Sequence, residues 1–502
     1  MNPEKSNQTE APVKKKSIKL NYLMNSTYQI FLIIVPIIVT PYVSRVLGVD
    51  GSGSYSYSYS ISTYFTLFAA LGFDSYAQRL IASDQGNKLK QSYDFWEVIL
   101  ARLFPTAVTL IIYAFVILSG VFGTKYSVLL WILSIDIISM AFNIVFFFQG
   151  NEEFSKIVLR NIAVKCLSII AIFACVKTAS DLWLYIFIQV FATFLGNISL
   201  WFYLPKYLVP IDFKKLRPLV HFKPTLILFL PTIATSIYTS LDKTMIGLIT
   251  GSDAENGNYE YAEKLVKMAM TLITSLGTVM IPRNSKYFAS GNMAGVEKNI
   301  YQSCKFVVFL GFPMMMGLIA IADNLIPWYL GNEYTEAANL IKIMSPIILI
   351  IGFSNVFGLQ FLLPCRMDVK YTTSIISGAV VNFTMNLFMI RFYGAYGAAI
   401  STVIAEIVVT GTMMIHIKQY IHFKSVITAS WKSVIASLTM LAVLFICFRN
   451  LSPSFLHTLL MVIIGGAVYS IILLVLRDGF MNYVLMTGKT FLNKTVQRIK
   501  RT

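Results

Sequence analysis

Charge is scarce in this chain, and the residue types that usually carry catalysis are scarcer. Only 13% of its 502 residues are Asp, Glu, Lys or Arg. The four histidines, His221, His416, His422 and His457, are scattered and form no ligand set among themselves. The five cysteines, Cys166, Cys175, Cys304, Cys365 and Cys447, lie in or beside apolar runs without paired spacing. That pattern favours packed thiols over disulfides or a metal site. No glycine-rich phosphate loop is present, so ATP is not expected to drive the chain directly. Long polar segments between the apolar runs are missing as well; even residues 323–338, among the longest, leave no room for an extramembrane catalytic domain. Glycan polymerases and membrane transferases need such a domain to hold an acceptor, so an enzyme is not expected. The polar N-terminal stretch has no cleavage-site pattern and reads as an arm rather than a removable signal.

What is present is apolar sequence. Hydrophobic residues make up 56% of the chain, and the mean hydropathy is +0.67. A membrane span needs roughly 20 mostly apolar residues. Fourteen stretches qualify, centred near Ile33, Phe65, Leu110, Ile138, Ser168, Ile188, Ile237, Thr271, Leu310, Leu349, Asn382, Val403, Met440 and Ile464. The net charge of +17 would suggest nucleic acid in a soluble protein, but its distribution follows topology. With the N-terminus placed in the cytoplasm, about thirty of the 41 Lys and Arg fall on inner segments, against Arg45, Lys125, Lys177, Arg391 and Arg449 outside. This asymmetry obeys the positive-inside rule. Both termini are expected in the cytoplasm, and nucleic acid is not expected as a partner.

Two stretches about 200 residues apart repeat one another. GSYSYS at 53–58 and GNYEYA at 257–262 each open an apolar helix. Both helices run on to a Leu-Gly pair, Leu71-Gly72 and Leu276-Gly277, and leave the membrane at Arg79 and Arg283. Parallel repeats of this kind form two lobes around a central site. The expected organisation is a disordered arm over 1–17, an N-lobe of six spans over 18–205 and a basic cytoplasmic linker over 206–223. A six-span C-lobe over 224–418, two further spans over 419–478 and a basic cytoplasmic tail over 479–502 complete it. The fold class is therefore an all-α polytopic membrane protein of about fourteen helices, built as two six-helix lobes plus two C-terminal helices.

Several spans carry polar lines at helical spacing. Thr232, Thr235, Thr239 and Asp242 keep one face, as do Lys264, Lys267, Thr271, Thr274 and Thr278. Lipid cannot satisfy such faces, so they point inward, to neighbouring helices or to water. The alternation at 54–60 places hydroxyls all round one helix, or else an interfacial belt of tyrosines. A Lys or Arg near a helix centre costs roughly 2.5–3.5 kcal/mol on insertion scales, which singles out Lys243, Lys264 and Lys267. Intramembrane carboxylates such as Asp136 and Asp242 either pair with cations or take up protons or sodium. A cavity with excess positive charge suits an anionic substrate.

At this point an ordered set of motifs resembles a family. PYVSRVLG at 41–48, Leu71-Gly72-Phe73, LDKTMIG at 241–247, NYEYAEK at 258–264, Ile281-Pro282-Arg283, Leu362-Leu363-Pro364 and YGAYGAA at 393–399 are similar to those of Wzx-type polysaccharide flippases. These belong to the multidrug/oligosaccharidyl-lipid/polysaccharide exporter superfamily. Two features depart from the pattern: an acidic stretch at 251–257, longer than the usual turn, and Cys365 where a glycine is common. The resemblance implies a bacterial plasma-membrane protein that moves undecaprenyl-pyrophosphate-linked oligosaccharide units to the outer leaflet by alternating access, for capsule or another surface glycan. Its partners would be that lipid-linked glycan, membrane lipid, and glycan polymerase and assembly proteins. It implies no cofactor beyond H⁺ or Na⁺ as a coupling ion. Under this reading Arg45, Lys243, Lys264 and Lys267 hold the pyrophosphate in the outer half, and Arg79, Arg102 and Arg283 attract it at the cytoplasmic entrance. Asp242, with Asp136 in reserve, couples to the ion, and Asn25, Thr271 and Asn382 contact sugar. The rivals are a multidrug/cation antiporter of the related MATE type, which would favour an acidic lining, and a membrane glycosyltransferase. A non-transporting scaffold would leave the buried charges unexplained.

Overall fold

The computed structural model describes residues 18–421, 423–448, 451–482 and 486. The expected arm over 1–17 and most of the expected tail lie outside them. Among the described residues the secondary structure is helical, with no strand. In chain order the helices are α1 (Ile18–Ala70), α2 (Phe73–Ser83), α3 (Lys88–Ser119), α4 (Ser127–Ala141), α5 (Val145–Gly150), α6 (Phe154–Cys175) and α7 (Leu182–Trp201). After short 3₁₀ turns between Leu204 and His221 come α8 (Phe222–Thr250), α9 (Asp253–Ala289), α10 (Met293–Tyr329) and α11 (Thr335–Met344). α12 (Ile347–Ser354) continues as a π-helical turn over Asn355–Leu362, and α13 (Asp368–Ile417), α14 (Phe423–Phe448) and α15 (Phe455–Val475) complete the chain.

The fourteen expected spans map onto fewer continuous helices. Among the described residues ten helices are long and apolar enough to cross a membrane, or eleven when the bent pair formed by 332–344 and 347–362 counts as one. Of the three missing spans, one is the expected seventh, α8, which is not among the helices counted. The other two are accounted for because the first two expected spans share α1 and the eleventh and twelfth share α13. Each run is broken at one glycine, Gly48 (φ 69°) and Gly394 (φ 54°). Positive φ is sterically costly for a residue with a Cβ, so glycine is the natural pivot at both. The helix restarting after each break has unsatisfied N–H groups, and a carboxylate meets them. Glu333 accepts from Val49 N at 3.3 Å, and Glu255 from Ala395 N at 2.7 Å.

The acidic stretch at 251–257 does not distort a turn. Ser252 caps α9 by accepting from Glu255 N, and Asp253 and Glu255 lie in the first helical turn, where acids oppose the helix dipole favourably.

Apolar packing divides along the chain. Two cores lie in the first part: one around Val43, Ile61, Tyr113, Leu133 and Ile186, the other around Phe73, Phe95, Phe147 and Leu200. A larger core runs from Met245 to Ile421. A fourth, centred on Met440, Met461 and Leu473, fastens α14 and α15 to α10. These cores give an N-lobe (α1–α7), a C-lobe (α8–α13) and an appended helix pair.

Candidate functional site

The two repeat motifs recognised in sequence meet face to face. A Cβ on Gly53 would lie 1.7 Å from the Asp253 carbonyl oxygen, and one on Gly257 would lie 2.2 Å from the Val49 carbonyl oxygen. Each glycine thus receives the carbonyl four residues before its counterpart, so α1 and α9 cross backbone against backbone. Around this crossing the lobes are stitched together. Asp253 accepts from Ser54 at 2.6 Å, Tyr126 at 2.6 Å and Lys125 at 3.1 Å. The Tyr334 hydroxyl reaches the Gly48 carbonyl at 2.7 Å and Ser52 at 2.9 Å. Arg45, assigned to the pyrophosphate, instead donates to the Trp328 carbonyl and is exposed at this end. The molecule is closed here.

The Ser-Tyr alternation turns out to be a lobe interface rather than an aromatic belt. Ser52, Ser56 and Ser60, spaced by four, face the C-lobe and meet Tyr334, Glu260 (3.0 Å) and Thr244 (2.8 Å). Tyr57 lies on Gly247 of α8, and Tyr55 packs edge-on to Tyr185 inside the N-lobe.

Deeper along the interface the charged side chains sort into two sets. Lys243 bridges Glu260 at 2.5 Å and Glu263 at 3.0 Å, and Lys267 binds the other oxygen of Glu263 at 2.6 Å. Two of the expected pyrophosphate cations are therefore neutralised by carboxylates of α9. Lys264 is different: it has no ion pair among the described residues, and its ammonium lies 5.4 Å from the Tyr261 ring centre. It lines a cavity of about 80 Å³ between the lobes, opposite Lys165, Gln189 and Tyr185 of the N-lobe. Lys165 likewise has no carboxylate partner among the described residues, only Gln189 Oε1 at 3.4 Å. Sequence reasoning gave Lys165 no role, and it missed Glu260, hidden inside the repeat motif.

Asp242 points the other way, into the C-lobe. Its carboxylate accepts from Tyr259 at 2.5 Å, Thr402 at 2.6 Å, Asn386 at 2.6 Å and Asn382 at 3.2 Å. Asn386 Oδ1 is buried without a partner. The arrangement sets two hydroxyls, two side-chain amides and the unpartnered Asn386 oxygen about one acid. A carboxylate and an amide oxygen are ligands of the kind a proton or a small hard cation takes. Asn382 belongs to this cluster and is fully buried, so it is not available as a sugar contact.

The remaining expected positions are dispersed. Arg102 is fully buried, bound to Asp74 at 2.6 Å and the Asn143 carbonyl at 2.6 Å, and 5.3 Å from the Phe146 ring centre. It joins α2, α3 and α4 and offers no surface to a substrate. Arg79 and Arg283 are exposed. Asp136 is half-buried in α4 with no ion pair among the described residues. Thr271 is exposed and donates to the Lys267 carbonyl, and the side chain of Asn25 lies outside the described residues.

At the end remote from Gly53, His221 joins residues that sequence spacing keeps apart. Its ring meets Glu97 at 2.8 Å and Tyr76 at 2.7 Å, and donor atoms of Asp94, Glu97 and His221 lie within 4.8 Å of one another. Glu97 also accepts from Arg217 N at 2.8 Å. Both ring nitrogens are engaged, so the cluster pins the segment between the lobes to α3. Nearby, the Asp94 carboxyl and Lys90 (2.6 Å) hold Asp84 below the usual carboxylate range. An apolar groove of about 330 Å³ runs between α10 and the α14–α15 pair, lined by Leu310, Met314, Met440, Met461 and Gly465, with Ala269 of α9.

This geometry has relatives. The chain is 24% identical over 417 residues to a putative O-antigen transporter of Escherichia coli (strain K12), covering 82% of this chain and 98% of that one. It is 25% identical over 150 residues to the lipid II flippase MurJ of Bacillus subtilis (strain 168), 29% of this chain and 27% of that one. A solved lipid II flippase MurJ in an inward closed conformation superposes with a TM-score of 0.75 at 18% identity, covering 91% of this chain and 99% of that one, a likeness of fold. Residues 18–288, more than half of the sequence, match the family described as polysaccharide biosynthesis protein, and the chain belongs to that family.

Proposed function

We propose that this protein is a flippase that carries a polyprenyl-pyrophosphate-linked glycan from the inner to the outer leaflet of the bacterial plasma membrane, by alternating exposure of the space between its lobes. The observation that carries this reading is the cavity lined by Lys165 of one lobe and Lys264 of the other, neither with a carboxylate partner among the described residues. Unpaired ammonium groups inside a membrane protein call for an anion from outside it, and a diphosphate supplies one. Cationic lining opposes a cation antiporter, and the relatives named above are a transporter and a flippase rather than transferases.

The lysine and arginine asymmetry supports a cytoplasmic location for both termini and for His221. The glycine crossing then faces outward, and the closed end is the outer one. The groove between α10 and the α14–α15 pair suits the prenyl chain, since it is almost wholly apolar and Ala269 ties it to α9. Asp242 is the coupling residue in this scheme: the orphaned Asn386 oxygen beside it suits a bound Na⁺, and the carboxylate itself suits H⁺.

The test is complementation of a strain lacking the gene, with lipid-linked intermediates and surface sugars both measured. The wild-type chain clears the intermediate and restores the glycan, whereas the Lys165→Gln, Lys264→Gln double variant, at equal membrane abundance, leaves the intermediate inside. Full surface glycan in the double variant would refute the role of the cavity.

A further inference from the structure

The cavity between the lobes has a neighbour. A second space of about 160 Å³ is walled by Tyr28 of α1, Arg160, Asn161 and Lys165 of α6, and Gln189 and Thr193 of α7. Lys165, Ser168 and Gln189 border both cavities. Arg160 precedes Lys165 by five residues, about 7.5 Å along a helix, on the side toward His221.

Arg160 is the unusual member. Its Nε is buried without a partner, and its terminal nitrogen has only a marginal 3.5 Å contact with Asn197 Oδ1. No carboxylate pairs with it among the described residues. The helices are built around it: a Cβ on Gly196 of α7 would lie 2.8 Å from the guanidinium. A lysine in such a place can shed its proton, but an arginine cannot. A permanent charge held inside a lobe without a counterion leaves donors for an oxyanion, and guanidinium binds phosphate in bidentate fashion.

We infer that Arg160 and Lys165 form a phosphate-binding loading site within the N-lobe, which the headgroup occupies before it passes to Lys165 and Lys264. This rests on the flippase reading above. The sequence of cations along α6 and across to α9 is then a path: Arg160 is met first from the inner side, Lys165 is shared, and Lys264 belongs to the far lobe. Asn161, Gln189 and Thr193 supply neutral hydrogen-bonding groups along the same wall.

The experiment is a titration of the purified full-length protein in detergent with farnesyl pyrophosphate, followed calorimetrically, with farnesol and inorganic pyrophosphate as further probes. Arg160→Gln weakens farnesyl pyrophosphate binding about tenfold, the loss expected for one charge-assisted hydrogen-bonding group. Arg160→Lys, which keeps the charge but not the bidentate fork, loses less. Asn197→Asp, which keeps the arginine but sets a carboxylate beside it, reproduces the loss and decides the matter if Arg160→Gln fails to fold. Competition by inorganic pyrophosphate supports a phosphate site open to free ions. Absence of competition, with farnesyl pyrophosphate still sensitive to Arg160→Gln, supports one reached only from the lipid. Farnesol binding as tightly as its pyrophosphate, or undiminished binding in both Arg160→Gln and Asn197→Asp, overturns the loading site. Restored glycan export by a wild-type chain that does not bind the probe likewise overturns the site alone. Failure of the wild-type chain to restore export overturns the flippase reading instead.

Discussion

Asp242 and Lys243 are neighbours in sequence but occupy different surroundings. The acid enters the C-lobe among Tyr259, Asn386 and Thr402, and the lysine reaches the lobe interface and two glutamates. Their expected phenotypes differ accordingly. Asp242→Asn abolishes the proton or sodium dependence of transport in vesicles while leaving headgroup binding intact; a dependence that survives the substitution excludes Asp242 from coupling. Arg102→Met, by contrast, lowers stability by about 1–3 kcal/mol, because it deprives the Asn143 carbonyl and Asp74 of their donor, and leaves farnesyl pyrophosphate affinity unchanged in whatever protein folds. Thermal unfolding in detergent and calorimetry separate the two effects. Sequence spacing found Asp242, Lys243, Lys264 and Lys267, because a charge at mid-span is conspicuous on any single helix. It could not tell which cations were already neutralised. For Lys243 and Arg102 that depends on Glu260 and Glu263 lying opposite the one and Asp74 meeting the other, contacts between helices that no spacing encodes. Only the Glu263–Lys267 pair, four apart on α9, was open to spacing.

The element on which closure depends is the crossing of α1 and α9. Because backbone meets backbone at Gly53 and Gly257, one methyl group is too much: the partner atoms are carbonyls, which cannot rotate aside like side chains. Gly53→Ala therefore holds the lobes apart at this end. Cysteines at Ser54 and Asp253, whose native side chains touch at 2.6 Å, cross-link readily in an otherwise cysteine-free protein and poorly when Gly53→Ala is added. Equal cross-linking would show that the crossing tolerates a side chain. The repeat that places these glycines was visible in sequence; Gly48 and Gly394 stood in motifs quoted for the family resemblance, but that they break α1 and α13 was not read from them. The consequence of the repeat was not visible, since the match between 53–58 and 257–262 says that two segments are alike and not that they touch. The acidic stretch at 251–257, noted only as longer than the family's usual turn, is an ordinary helix start.

For the whole molecule, the all-helical polytopic fold was legible in the apolar stretches, whereas the number of continuous helices was not, because two pairs of spans each run on through a single glycine break. Two lobes and an appended pair are what the repeat leads one to expect. The same cysteine pair tests alternating access directly. Oxidised Ser54→Cys, Asp253→Cys protein is trapped closed at the outer end and inactive in glycan export, and reduction restores activity. Export by the fully cross-linked form would rule out opening between α1 and α9 as the exit.

The solitary positive charges of the inner space have an electrical consequence. With the diphosphate aboard, most of the positive charge of Arg160, Lys165 and Lys264 is offset; once it has departed, that charge is left in the interior without its counterion. A charge crossing the full membrane field is worth about 2.3 kcal/mol per 100 mV, and an inside-negative voltage pulls such an interior back toward the cytoplasm. Resting voltage would thus reset the vacant protein after each delivery, and glycan output should fall when the voltage is collapsed even with the ion gradient held constant.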